Sequence, residues 1–460
     1  MSWLNKLDYS VNPSNDFYSF VNNDWIKENP IPKDQNRWGQ FNVIELTNKK
    51  RVKKLLEEAS SNHNFIKAQI LYNGFKNKNG KEILDNLIVK ILEIKTIESL
   101  KEMWLFLIFN QLINSPISYY VYPDLNNSNF NILYLSTGGL GLPDRDYYFL
   151  DNMKDKRLKY KKFMKQFYNI NLDYDNIYQL EKTLAKWTFT KVEKRDPKNY
   201  NNPTTFNKFI IKYPNLICKE IFNIIQIDGK EMNISNPKFI KNFNNLFVKK
   251  NLILLKQYFI WKIILKNADL ISFDYEIKKF NFYGKCLSGT PEMKPLWKRA
   301  INYTNTQLGE VIGMEFCKKY FPESSKKKCL LMVEYIKNEL KERLISNNWM
   351  TSLTKNKALE KLNKIYVKIG YPNKEGLRNF DDLKLNPSKT LFENHMRINY
   401  FDVLYNLNKI YKKKNKHEFH MYPHMVNAYY SPLNNEIVFP AGILQYPFFD
   451  ENVEMIENFG

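Results

Sequence analysis

Cysteine is scarce in this sequence. There are four in 460 residues, Cys218, Cys286, Cys317 and Cys329, far apart and with no C-x-x-C pair. That spacing excludes a disulfide framework and a zinc ribbon, and reads as reduced, buried thiols of an intracellular protein. Arginine is scarce too, at nine of the 70 basic residues, although the formal net charge is +22. Readers of base edges rely on the planar guanidinium fork, so a surplus made of scattered lysines argues against specific nucleic-acid binding. The densest basic runs, "KKRVKK" (49–54) and "KKKNK" (412–416), read as a solvated helix face or loop. Long apolar runs are missing. The most apolar stretch, "MWLFLIFNQLI" (103–113), is far short of the roughly 20 residues that cross a bilayer. The opening "MSWLNKLDYS" lacks the basic start, apolar run and small-residue cleavage site of a signal peptide. The expectation is a cytoplasmic chain with no membrane partner.

What the sequence does contain is enough apolar material to fold. Hydrophobic residues make up 43% and aromatics 15%, and the length suggests two or three domains. Helical spacing dominates the middle. Val52, Leu55, Leu56 and Ala59 share a face, as do Ile177, Leu180, Leu184 and Trp187. Val333, Ile336, Leu340 and Leu344 form a third stripe. Ala358, Leu359, Leu362 and Ile365 form a fourth, with Thr354 as its N-cap. All four read as core-facing surfaces of packed helices. Near Lys368 the pattern changes. "VKIGYP" and "VNAYYSPLNNEIVFP" carry β-branched and aromatic runs broken by Pro, Gly and Asn, which is strand and turn chemistry. A turn at 432–435 would join a strand at 426–430 to one at 436–439.

Motifs that could carry chemistry are few. "GGLGLPDRDYY" (138–148) has neither phosphate-loop nor dinucleotide spacing and reads as a turn feeding a helix. "FYGKCLSGTPE" (282–292) is not a G-x-S-x-G elbow and has no histidine near it in sequence. "HEFHMYPH" places His417, Glu418, His420 and His424 together. Its second histidine comes one position earlier than in H-E-x-x-H, and Pro423 argues against a helix, so these read as surface-loop histidines.

Several ordered segments nevertheless resemble one family. "NPSNDFYSFVNNDWIKENPIPKDQNRWGQF" (12–41), "GLGLPDRDYY", "FYGKCLSGTPEMKPLWKRA", "KKYFPE", "KALEKLNKIYVKIGYP" and "VNAYYSPLNNEIVFPAGILQYPFFD" are similar, in order, to the neprilysin and endothelin-converting-enzyme family of zinc metalloendopeptidases. Ser14 and Asn22 stand where secreted members carry cysteines, which resembles the disulfide-free, bacterial-type form. The resemblance implies a mainly α fold with a small β part (α+β): a large helical lobe plus the first part of a thermolysin-like catalytic domain. In those terms residues 1–45 would pack on the catalytic lobe, 46–367 would form the helical lobe, and 368–460 would begin the catalytic domain. It also implies that Asn427 and Ala428 lie on an edge strand that hydrogen-bonds the backbone of an oligopeptide substrate. Arg37 matches an arginine that in some members faces the cavity and pairs with a substrate carboxylate.

One departure bears on activity. In the family, an N-F-G like that at 458–460 runs on into the helix bearing H-E-x-x-H, and these 460 residues contain no such motif. Zinc is therefore expected for a complete member and not for this chain alone, which has no catalytic and no metal-ligating residue to nominate. The expectation is an inactive N-terminal portion of a metalloendopeptidase, which a separate C-terminal chain could complete. A non-catalytic peptide-binding pseudoprotease and a structural remnant remain the alternatives.

Overall fold

A computed structural model describes residues 7–216 and 231–459. Cys218 lies outside the described residues. Helices start where a short polar side chain can satisfy the first free amides. Asp16 caps α1 (Phe17–Glu28) and Asn62 caps α3 (His63–Lys76), with α2 (Gln40–Glu57) between them. The pair α4 (Lys81–Leu92) and α5 (Ile97–Phe109) follows, and the apolar stretch 103–113 is where α5 buries Trp104, Leu107 and Phe109 in the core. Among the described residues no helix is long and apolar enough to cross a membrane.

The sequence reading missed a sheet. β1 (Ile117–Pro123) pairs antiparallel with β2 (Asn131–Thr137), which runs parallel to β4 (Glu231–Ile234), and β3 (Pro203–Thr205) closes the order β1-β2-β4-β3. Strand structure thus begins well before Lys368, inside the region expected to be helical.

Helices α6 (Lys154–Phe167), α7 (Tyr174–Trp187) and α8 (Pro237–Leu246) follow, packed against α9 (Leu252–Ile271) or its neighbours. The stripe Ile177, Leu180 and Leu184 on α7 is buried as expected. α9 is buried almost all round, including the charged Lys262, whose Nζ donates to Glu181 Oε1 at 2.5 Å. Tyr148, Tyr160 and Trp261 complete the donor set around that carboxylate. The glycine turn at 138–142 is part of the same cluster. Gly139 has φ +83, and its carbonyl accepts from the Tyr258 hydroxyl at 2.6 Å. That turn feeds a short helix, as read.

α10 (Phe273–Phe280) continues as a π-helix over Asn281–Leu287, where the Ser288 hydroxyl donates to the Tyr283 carbonyl at 3.0 Å. The hydroxyl is thus spent on a turn. Two long helices follow, α11 (Leu296–Tyr320) and α12 (Glu323–Ser346), then α13 (Ser352–Asn363). Here the structure departs from what the spacing predicts. The N-cap of α13 is Thr351, and Thr354 supplies the capped amide. The apolar row on α12 does not face a core: Ile336 and Leu340 are 55% and 43% exposed, and only Ser325 and Cys329 of this helix are buried. Ala59 is also exposed, just beyond the end of α2.

β5 (Tyr366–Gly370) opens the second sheet. After α14 (Leu391–Leu407), which packs on α3, α5, α9 and β1, the hairpin β6 (Tyr429–Ser431) and β7 (Glu436–Pro440) completes it. The order is β5-β7-β6, parallel then antiparallel. The expected hairpin is present, with Asn435 at φ +47 turning the chain, but its first strand begins at Tyr429 rather than 426. Helix faces hold the chain beyond it. Asn48 of α2 donates to the Gly442 carbonyl, Arg51 to Gln445, and Ser325 of α12 to Glu451. Of the "KKRVKK" lysines, Lys53 and Lys54 pair with Glu57 and Glu58 at the exposed end of α2, and Lys49 pairs with Glu45 one turn earlier.

Candidate functional site

The second sheet presents β6 at its edge, and no strand among the described residues pairs with its outer side. Asn427 and Ala428 sit immediately before it. Asn427 is exposed and turns its Oδ1 back to accept from the Ala428 amide at 2.9 Å, which is why the strand starts only at Tyr429. Ala428 is half-buried. Behind them, Tyr429 donates to Glu436 Oε1 at 3.4 Å and accepts from the His420 amide at 3.3 Å. Glu436 pairs with Lys368 at 2.7 Å, both nearly fully buried, which ties β7 to β5.

What seats this edge is α11. Its backbone leaves the helical range at Leu308 (φ −132°, ψ 33°), beside Gly309. A Cβ on Gly309 would fall 2.5 Å from the Tyr422 ring, and one on Gly313 would fall 2.4 Å from Pro423. The two glycines therefore let the segment before the edge strand lie directly on the helix. His424 corrects the surface-loop reading. It is buried, its Nε2–H donates to Asn305 Oδ1 at 2.9 Å, and burial pushes its imidazole down to about 3.

Beneath Tyr422 and Pro423 lies a cavity of about 310 Å³ whose polar residues the sequence did not suggest. Arg378 pairs with Asp402 at 2.5 Å and stacks on Phe401 and Tyr405 at 4.4 and 4.1 Å. Its backbone amide donates to Glu310 Oε1 at 2.9 Å. Burial pushes the Glu310 and Asp402 carboxyls up. These groups come from α11, a loop and α14, so no local spacing could have grouped them.

Arg37 lies apart from this region. It is exposed in the loop between α1 and α2, beside Asp34 and Asn36, which line a cavity of about 680 Å³ walled by α9, α10, α11 and α14. The structure therefore brings Asn427 and Ala428 together at one edge and leaves Arg37 in a different wall.

The histidines do not converge. His417 meets Tyr366 at 2.8 Å and Glu375 at 3.0 Å, while Glu418 is taken by Tyr405 and Lys409. His424 points the other way, into α11. Among the described residues no three His, Cys, Asp or Glu side chains are grouped to hold a metal ion. The described residues therefore do not supply the ligand set of a catalytic zinc.

The chain is mainly helical with two small sheets, the second offering an edge strand, and solved structures of zinc metalloproteases share this fold. Zinc metalloprotease of Mycobacterium tuberculosis in complex with inhibitor superimposes with a TM-score of 0.87, at 24% identity over 98% of this chain and 71% of that one. PepO of Lactobacillus rhamnosis HN001 superimposes with a TM-score of 0.90, at 22% identity over 98% and 74%. The chain belongs to peptidase family M13, whose profiles match residues 13–372 and 427–460. Endothelin-converting enzyme 1 of Rattus norvegicus is 30% identical over the whole of this chain, which spans 64% of the length of that relative. Neutral endopeptidase of Lactococcus lactis subsp. cremoris is 28% identical over 97% of this chain and 74% of its own.

Proposed function

We propose that these 460 residues form the substrate-gripping scaffold of an M13 zinc metalloendopeptidase, whose reaction is hydrolysis of peptide bonds in oligopeptides. The observation that carries this reading is the edge of β6, which no strand among the described residues covers, preceded by Asn427 and Ala428 and by a segment lying directly on α11. A sheet edge binds an extended chain through main-chain groups, so register is fixed whatever the peptide sequence. Asn427, Ala428 and, from a separate wall, Arg37 are the residues proposed to meet substrate. Zinc and the residues that hold it come from polypeptide outside these 460 residues, continuous with them or separate. The exposed apolar row of α12 is a surface such a polypeptide would cover. Alone, the chain binds peptides without cutting them. Its proposed compartment is the cytoplasm, in keeping with the free Cys286, Cys317 and Cys329.

Hydrogen exchange tests the grip. Added oligopeptide should protect the amides of residues 428–431 and leave those of α7 unchanged. Unaltered exchange across the hairpin at saturating peptide would refute the reading.

A further inference from the structure

The run "KKKNK" does not fold as a solvated loop alone. Its last two lysines line a cavity of about 200 Å³ between the two sheets, Lys414 half-buried and Lys416 exposed at the rim, with Tyr366 and Lys368 of β5 and Glu436 of β7 as its floor and β1 as a wall. The loop is pinned in place. The Lys414 amide donates to the Asn129 carbonyl at 3.0 Å, and Asn415 Nδ2 to the Glu375 carbonyl at 2.7 Å.

The charges in this cavity do not balance. Five lysines line it, Lys364, Lys368, Lys409, Lys414 and Lys416, against two glutamates. Lys368 is neutralised by Glu436 and Lys409 by Glu418, while Lys364 reaches outward to Glu360 at 2.6 Å. That leaves Lys414 and Lys416. Lys414 touches neutral acceptors, the Leu433 carbonyl at 3.3 Å and Asn434 Oδ1 at 2.9 Å. No hydrogen bond or ion pair among the described residues uses the Lys416 ammonium. Burial, then the charge of Lys416, pushes the Lys414 ammonium down, while Glu436, itself paired with Lys368, acts weakly in the opposite sense.

The cavity adjoins the edge strand. His420 and Glu436 line it, and both contact Tyr429, the residue after Ala428. A peptide laid along β6 would carry side chains past its mouth. We propose that this cavity binds an oxyanion, the carboxylate of an acidic side chain on the gripped peptide, through Lys414 and Lys416. The inference rests on the edge-strand reading and adds a preference for acidic peptides to it.

The test is fluorescence anisotropy with the 460-residue chain, a short labelled peptide containing one Glu, and its Gln counterpart. Two cations facing one carboxylate in a half-enclosed site should favour the Glu peptide by about tenfold at low ionic strength. Most of that advantage should vanish at about 0.5 M salt. In Lys414→Gln/Lys416→Gln the two peptides should bind equally, and the exposed single change Lys416→Glu, which leaves the fold untouched, should reverse the preference. Inorganic phosphate at matched ionic strength should erase the advantage of the Glu peptide. Equal binding of both peptides to the unaltered chain would overturn the acidic preference while leaving the grip intact. So would a preference that survives in the double variant. Phosphate binding at these lysines without displacing the Glu peptide would overturn the assignment to a peptide carboxylate. Failure of either peptide to bind would overturn the grip and this inference with it.

Discussion

Lowering the pH should loosen this fold through two histidines. His395 and His424 are buried and neutral. Asn399 Nδ2 donates to His395 Nε2 at 2.8 Å, whose Nδ1–H faces the Tyr303 hydroxyl at 3.1 Å, and His424 donates to Asn305. Burial pushes both imidazoles to about 3, with Lys266 adding to the effect at His395. An unfolded histidine titrates near 6.5, so on acidification the unfolded chain takes up the proton first. Stability is therefore full above that value and falls as pH drops from about 6.5 toward 3. At about pH 5 the cost is set by the unfolded value alone and amounts to roughly 2 kcal/mol per histidine, roughly 4 for both. Glu310 and Asp402, whose carboxyls are raised, work in the opposite sense, so the contrast between variants isolates the effect. Urea unfolding followed by tryptophan fluorescence at about pH 8 and pH 5 gives the difference. His395→Gln and His424→Gln should each flatten the pH dependence by about 2 kcal/mol, and the pair by about 4. An unchanged pH dependence in the double variant would refute the assignment of these two side chains as the buried, neutral groups that make folding sensitive to acid.

Other perturbations follow from the same contacts. Gly313→Val drives a side chain into Pro423, so the segment before β6 should lift from α11 at a cost of about 1–3 kcal/mol, read by urea unfolding, with weaker peptide binding alongside. Lys262→Met leaves Glu181 buried without its cation and should cost about 3–5 kcal/mol in the same assay. Ile336→Glu with Leu340→Glu, on the exposed face of α12, should change stability by no more than about 0.5 kcal/mol. A large loss there would mean that the face is packed after all.

The hairpin was legible because turn chemistry is local. Pro432, Asn434 and Asn435 stand between two β-rich runs, and Asn435 takes the positive φ that such a turn needs. The start of its first strand was not, since it depends on where the Asn427 side chain goes. The α7 and α12 stripes look alike in sequence, yet one is buried and the other bare. Periodicity reports a face, and only a partner element decides whether that face is covered. His424 escaped for a similar reason. Its burial is set by two glycines of α11 more than a hundred residues earlier. The first sheet was overlooked because "ISYYVYP" and "NILYLST" lack clean alternation, β2 being buried at four successive positions. For "KKKNK" composition shows only a basic run, because the pairing of Glu418 with Lys409 and of Glu436 with Lys368 is set by the fold.

The central claim is that these residues hold a peptide and do not cut it. The most direct measurement incubates one fluorogenic oligopeptide with the purified 460-residue chain in the presence of zinc and follows anisotropy and cleavage together. Saturable binding without turnover is the predicted result. Turnover that a chelator abolishes, or no binding at all, would contradict it.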